Sequence, residues 1–484
     1  MIQHSDKSSL SDHHHWHNLC HREGDVSYIC QPHRRTIMAR RVFLYLFPAL
    51  LFSSCSTFFL SGGKDAFVKV NGTHFVLDDM PYYYAGTNLW YGCYIGSPGE
   101  TGDRPRLLRE LDSLHAIGLD NLRILAGSEA SKKIRAVRPA IVRTPGDVND
   151  SLLVGLDYLL AEMSKRKMKA VLYLTNYWEW SGGMSEYVAW ADTIRAFDPE
   201  VDGWPQFMNF SAKFYQNEKA NALFRLYVKS IVTRKNTTNG RNYSSDATIM
   251  SWQLANEPRP GTGSPNVLPY YYKWIDETAG YIKSLDTNHL VSSGNEGLAG
   301  SLQSEECVLI AHRSKNIDYL TIHLWPLNWG WFNPKRMEET LPPSIEKATV
   351  YIGKHIEYAR ELNKPMVMEE FGIGRDTGAY ALGTPTTARD RYCTKIFGIL
   401  YDSARAGTPV AGSNFWGWGG EGRSQNADFM WKKGDPFVGD PPQEPQGRNS
   451  IFISDVSTIA IIRDHAAKMK RLGVVDTLSA YTAR

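Results

Sequence analysis

Short apolar runs recur along residues 82–420, separated by amphipathic stretches and turn residues. Eight of them read as strands, at 82–90, 121–127, 169–176, 248–258, 290–297, 319–326, 366–372 and 412–420. Each is rich in β-branched and aromatic residues and bounded by Gly, Pro or Asn, which is the signature of a strand. Their apolar character is mostly continuous, as expected for strands covered on both faces. Between the first two, Leu107, Leu108, Leu111 and Leu114 fall at helical spacing and Gly118 supplies the stop. After the last, a Pro/Gly-rich loop leads to a helix with Ser457 as its cap and Ile462, Ala466, Met469 and Leu472 along one face. Eight strands alternating with helices predict an α/β chain folded as a single (β/α)8 TIM barrel. A doubly wound open sheet is the alternative, but it calls for a Gly-rich phosphate loop after an early strand, and the sequence has none.

In such a barrel the functional residues gather at strand C-termini. The predicted ends carry Asn88 and Trp90; Arg123; Asn176 and Trp178; Asn256, Glu257 and Arg259; Glu296; His323 and Trp325; Glu369 and Glu370; and Trp416 and Trp418. Solvated caps would be Ser, Asp, Lys and Gly. Carboxylates, an Arg, a His and several indoles converging on one rim suit an uncharged polyhydroxyl ligand, with ring faces for stacking and fixed polar groups for hydroxyls. Composition agrees. The 484 residues include 14 Trp and 25 Tyr, while a net charge of +3 gives no basic excess for a nucleic-acid partner.

The segments "WQLANEPRP" (252–260) and "KPMVMEEFG" (364–372) resemble the two signature segments of glycoside hydrolase family 5. The Arg in "NLRIL", the His and aromatic in "TIHLW" and the Trp in "NFWGWGG" fit the same family. "LTNYWEWSGGM", "NEPR", "GNEG" and "GDPPQEPQGRNSIF" look like its endo-β-1,4-mannanase branch, and the resemblance runs from about Phe67 to Leu472. One departure is Trp325, where many members carry a Tyr whose phenol faces the nucleophile.

Glycosidic cleavage needs a proton donor at the leaving oxygen and a group that stabilises an oxocarbenium-like centre, and two carboxyls supply both. Alternation of side chains along a strand prevents Glu369 and Glu370 from being that pair. Only one of them can face the mouth, leaving the other toward the barrel wall or a helix. The resemblance implies Glu257 as acid/base, its pKa raised by burial and nearby charge, and Glu370 as an ionised nucleophile beside Arg123. It also implies Asn256 on the sugar 2-hydroxyl, His323 orienting the site and Trp416 as a floor. Arg259, Trp178, Trp180, Glu179, Glu296, Trp325 and Trp90 complete the expected substrate contacts. No cofactor or metal is called for. The implied reaction is retaining, internal cleavage of β-1,4-mannosidic bonds in mannan, glucomannan or galactomannan. A β-1,4-glucanase or exo-β-mannosidase on the same barrel, or a non-catalytic polysaccharide-binding lipoprotein, are the alternatives.

Upstream, Arg40 and Arg41 precede an apolar run at 42–56 that is too short to span a membrane comfortably and ends in "LFSSC". This resembles a bacterial lipobox with Cys55 as the lipidated residue. The expected organisation is an extension at 1–37, a signal at 38–55, a linker at 56–66 and the catalytic domain at 67–484. The protein would be exported and held to a membrane through its lipid alone. The remaining Cys93, Cys307 and Cys393 form no disulfide framework, although one pair could bridge.

Overall fold

The computed structural model describes residues 66–263 and 266–482. The extension, the signal with Cys55 and most of the linker lie outside the described residues. The eight apolar runs fold as β1 (Tyr84–Asn88), β2 (Asn121–Leu125), β3 (Lys169–Tyr173), β4 (Ile249–Gln253), β5 (Leu290–Ser292), β6 (Leu320–Leu324), β7 (Met366–Phe371) and β8 (Val410–Phe415). All pair in parallel, in the order β5-β4-β3-β2-β1-β8-β7-β6. The β5–β6 seam has no ladder. There the Asp318 N–H donates to the Val291 carbonyl at 2.8 Å and the His323 N–H to the Glu296 carbonyl at 3.1 Å, bridging the ring.

Each strand is followed by a helix: α1 (Arg104–Ile117), α2 (Asp150–Lys165), α3 (Glu218–Val232), α4 (Leu268–Leu285), α5 (Glu305–His312), α6 (Met337–Leu362), α7 (Thr387–Arg405) and α8 (Val456–Thr482). In α1, Asp103 caps the first turn by accepting from the Arg106 N–H, and Gly118 ends the helix at φ 96°. Leu107, Leu111 and Leu114 are fully buried, each contributing about 1.5–3 kcal/mol, whereas Leu108 is only half-buried. Ile462, Ala466, Met469 and Leu472 form the buried face of α8. Ser457 does not cap this helix. It lies inside the first turn, and the Asp455 carbonyl takes the Ile459 N–H at 2.9 Å.

A small antiparallel sheet of Lys69–Asn71, His74–Leu77 and Met80–Pro81 precedes the barrel. Its Phe75, with Val68, packs on Tyr84, Val171, Met250, Leu290, Tyr319, Val367 and Ala411, closing the interior at the strand N-termini. The opposite end carries the long excursions. Two of them build cleft walls: the helical segment between β3 and α3, and residues 416–455 between β8 and α8. Cys93, Cys307 and Cys393 are all buried and unpaired, so no disulfide forms among them.

Candidate active site

Arg123, His323 and Glu370 lie within β2, β6 and β7, whereas Asn176, Asn256 and Glu257 lie just past the ends of β3 and β4. Asn176 and Asn256 pair across the ends of β3 and β4 as one isolated parallel bridge. The next residue, Glu257, turns to φ 50°, a left-handed conformation costing a non-glycine about 1–2 kcal/mol. Its N–H donates to the Gly294 carbonyl at 2.9 Å. Its carboxyl is fixed on both sides, as His323 Nδ1 lies 2.6 Å from Oε1 and the Trp178 indole N–H donates to Oε2.

Glu370 sits opposite. One oxygen of each carboxylate and a nitrogen of His323 all lie within 4.8 Å of one another. Glu370 Oε1 accepts from Arg123 Nη1, and Oε2 is 3.4 Å from His323 Nδ1. This is the one trio among the described residues spaced to hold a metal ion. His323 Nδ1 reaches both acids, 2.6 Å from Glu257 Oε1 and 3.4 Å from Glu370 Oε2.

Arg123 is fully buried and its donors are spent on the barrel: Nη1 to Asn88 Oδ1 (3.1 Å), Nη2 to Asn256 Oδ1 (2.7 Å) and Nε to Gln253 Oε1 (2.7 Å). Its plane lies over the Tyr173 ring at 4.6 Å. Arg123 and His323 therefore stand behind the carboxylates and do not line the cleft, contrary to their expected place among substrate contacts.

Glu369 does not point to a helix or into the wall. Gln253 Nε2 donates to its Oε2 at 2.7 Å, Arg123 Nε lies 3.5 Å from the same oxygen, and Tyr319 OH donates to Oε1 at 3.4 Å, all inside the barrel. The reason is a register shift. Ile322 pairs with Met368 but His323 pairs with Glu370, leaving Glu369 as an extra residue in β7. Val367 packs on the interior floor and Met368 against the outer core, so strict alternation would turn Glu369 inward and Glu370 outward. The bulge re-aims Glu370 at the mouth.

These groups sit in a cleft of about 590 Å³ whose lining includes Asn256, Glu257, Arg259, Glu296, Trp178, Trp325, Glu370 and Trp416. Trp325 and Trp416 meet edge to face, with centroids 6.1 Å apart. Arg259 pairs with Glu296 and stacks over Trp178 at 4.7 Å, so it braces the indole that donates to Glu257. Trp90 is absent from the lining. Its Nε1 donates to the Val438 and Gly439 carbonyls at 3.0 and 3.1 Å, pinning the β8–α8 loop from beneath. That loop reaches the cleft with Pro441, Gln443, Glu444 and Arg448, while Trp204, Asn328 and Trp329 line other parts of it. Apart from Trp204, which opens a short helix, these residues lie in loops, where periodicity gives no signal. Gln253 was also missed, although a polar residue inside an apolar strand run marks it in the sequence.

The electrostatics around Glu257 run against the expectation for an acid/base. Burial works to raise its pKa, but the hydrogen bond and charge of His323, with Arg259 and Trp178, outweigh it and hold the carboxyl low. Burial alone would lower His323. The Glu370 charge and the bond to Glu257 instead raise it to about 10. Glu370 is raised by burial, with the Glu257 charge adding and His323 and Arg123 opposing. The sequence reading lacked the contact responsible, namely the imidazole lying on the acid/base itself.

A family profile described as GH family 5 beta-mannosidase-like matches residues 65–474. Mannan endo-1,4-beta-mannosidase 1 of Arabidopsis thaliana is 30% identical over 368 residues, covering 73% of this chain and 82% of the relative. Among solved structures, the glycoside hydrolase family 5 mannosidase from Rhizomucor miehei superposes with a TM-score of 0.78 at 37% identity, covering 85% of this chain and 99% of that one. A mutant of the same fungal enzyme in complex with mannosyl-fructose matches with a TM-score of 0.78 at 36% identity, over 85% of this chain and 99% of that one. With its barrel, its opposed glutamates and this extent of matching, the chain belongs to the GH family 5 beta-mannosidase-like family of glycoside hydrolases.

Proposed function

We propose that this glycoside hydrolase cleaves β-1,4-mannosidic bonds within mannan, glucomannan or galactomannan by a retaining double displacement. The observation that carries the reading is the placement of Glu257 and Glu370, with oxygens within 4.8 Å of each other across the mouth. Retaining enzymes hold their carboxyls about 5–5.5 Å apart, whereas inverting ones leave about 6.5–9.5 Å for a water. The mannan-directed names of the plant relatives and the mannosyl-fructose bound to the fungal one support the sugar.

In this mechanism Glu370 attacks the anomeric carbon while Glu257 protonates the leaving oxygen; Glu257 then draws a proton from the water that releases the sugar. Arg123 fixes one nucleophile oxygen. Asn256, held by Arg123 and by Asn176 Oδ1 at 3.2 Å, is set to meet the 2-hydroxyl. Trp416 supplies the apolar floor.

Digestion of mannohexaose with product analysis tests this reading. Internal cleavage yields mannobiose, mannotriose and mannotetraose early. Cleavage of soluble cellulose derivatives with mannohexaose left intact would overturn the choice of sugar. A second reading, terminal release of mannose, is favoured by the loop wall of Pro441, Gln443, Glu444 and Arg448 along the cleft, and predicts mannose as the first product. Export with a lipid on Cys55 is the accompanying proposal for localisation. Cys55→Ala should release the protein from membranes, and unchanged membrane association would count against it.

A further inference from the structure

Glu257 has to deliver a proton, yet both of its oxygens are engaged in hydrogen bonds, Oε1 with Nδ1 of His323 at 2.6 Å and Oε2 with the Trp178 N–H. His323 faces carboxylates on both sides. Glu257 and Glu370 (3.4 Å) lie at Nδ1, and Glu369 Oε2 lies 3.9 Å from Nε2. Arg123, bound to Glu369 and Glu370, and the Arg259–Glu296 pair beside Glu257 are the other charges acting on this cluster. Nε2 has no hydrogen-bond partner, so the ring's hydrogen bond is the one to Glu257.

Building on the retaining β-mannosidase reading, we propose that His323 stores the catalytic proton in the empty enzyme and passes it to Glu257 when substrate fills the cleft. An imidazolium–carboxylate pair depends on polar surroundings; covering Glu257 with a sugar excludes water and favours the neutral pair. The step balances. The N–H bond at Nδ1 breaks, an O–H bond forms at Glu257 Oε1, and the imidazolium becomes imidazole. Rotation of that O–H turns it from the ring to the glycosidic oxygen, which takes the proton as Glu370 forms the glycosyl ester. Water then gives a proton to Glu257 as its oxygen displaces Glu370, and the proton returns to Nδ1 when product leaves. The transfer removes the His323 charge together with the Glu257 charge beside Glu370, so Arg123 is left as the cation that favours the ionised nucleophile. His323 is wholly buried and acts through Glu257, so it is a positioning residue that also holds a proton.

Leaving-group dependence tests the proposal. Mannotriose needs the acid; 2,4-dinitrophenyl β-mannoside, with a stable phenolate leaving group, does not. His323→Asn should lower kcat/KM for mannotriose by about 10²–10³-fold and at least tenfold less for the dinitrophenyl mannoside. Equal losses on both substrates would reduce His323 to a structural support and overturn the proposal, as would no loss on mannotriose. Nitrogen-15 NMR of the imidazole gives an independent arm. Glu257→Gln should shift the His323 titration down by more than one pH unit relative to wild type, and an unmoved titration would also overturn it. Failure of wild type to act on either mannoside would instead defeat the substrate reading, while the NMR arm still reports on the shared proton.

Discussion

His323 Nδ1 lies 2.6 Å from Glu257 Oε1, so the residue assigned to donate a proton is bonded to the group best placed to hold one. Trp178 completes the grip on the other oxygen. Because that indole N–H stabilises the carboxylate, Trp178→Phe should raise the Glu257 pKa and move the alkaline limb of the kcat/KM profile, which reports the essential acid, to higher pH. A hydrogen bond to a charged group is worth about 1.5–3 kcal/mol, so the limb should move by about one unit or more. A profile unchanged between pH 4 and 8 would show that the contact does not govern the acid.

Removing the two assigned carboxylates should have different signatures. Glu257→Ala should lose about 10²–10⁴-fold on mannan and regain turnover of an activated mannoside with azide, giving the β-mannosyl azide. Glu370→Ala should abolish turnover of both substrates, and azide should then give the α-anomer. Anomer assignment by proton NMR decides between them; the same anomer from both variants would defeat the assignment.

Glu369 and Glu370 share Arg123, but Glu369 meets only the barrel interior. Glu369→Ala would leave part of a buried guanidinium and the Gln253 amide uncompensated, costing about 3–5 kcal/mol. Denaturant unfolding should show that loss. Glu370→Ala, at the open mouth, should cost markedly less stability while costing all the activity.

Glu179 lines the cleft, is 2% exposed, and its Oε2 has no hydrogen-bond partner. Burial raises its pKa to about 7, with its own backbone N–H and Lys133 opposing and Asp198 and Glu200 adding. The folded pKa lies above the unfolded one, so its contribution to stability is fully present below about pH 4.5 and is lost as pH rises through 7. Glu179→Gln should therefore match wild type at pH 5 and be more stable at pH 8 by about 1–3 kcal/mol. Equal stability of the two proteins at pH 8 would mean that the carboxylate finds compensation.

Asp440 organises the β8–α8 wall. It accepts from the backbone N–H groups of Gly447 (2.8 Å), Asn449 (2.7 Å) and Ser450 (3.1 Å) and from the Ser450 hydroxyl. Asp440→Ala should free the segment carrying Gln443 and Glu444. The measurable result is a KM for mannotriose raised about tenfold with kcat little changed, since a loosened wall must be ordered on binding. A lowered kcat at constant KM would mean that the loop serves the chemistry.

The order and type of the barrel elements were written in the sequence, because periodicity and turn residues are local properties. The strand runs at 121–127 and 366–372 enclose the observed β2 and β7, and the buried stripes of α1 and α8 fall on the residues that spacing marks. The chemistry at the strand ends was legible for the same reason, since barrel topology gathers those ends at one mouth. Direction and depth were not. Trp90 has the composition of a sugar platform but lies beneath a loop 348 residues away, held by its carbonyl at Val438. Nor could alternation choose between Glu369 and Glu370, since it selects the wrong one. A bulge in β7, set by pairing with β6, turns Glu370 to the mouth and leaves Glu369 with Arg123 in the interior. Sequence fixes which groups are available on each element, but register, bulges and long-range hydrogen bonds depend on neighbouring strands, so only the tertiary structure could decide which groups face the cleft.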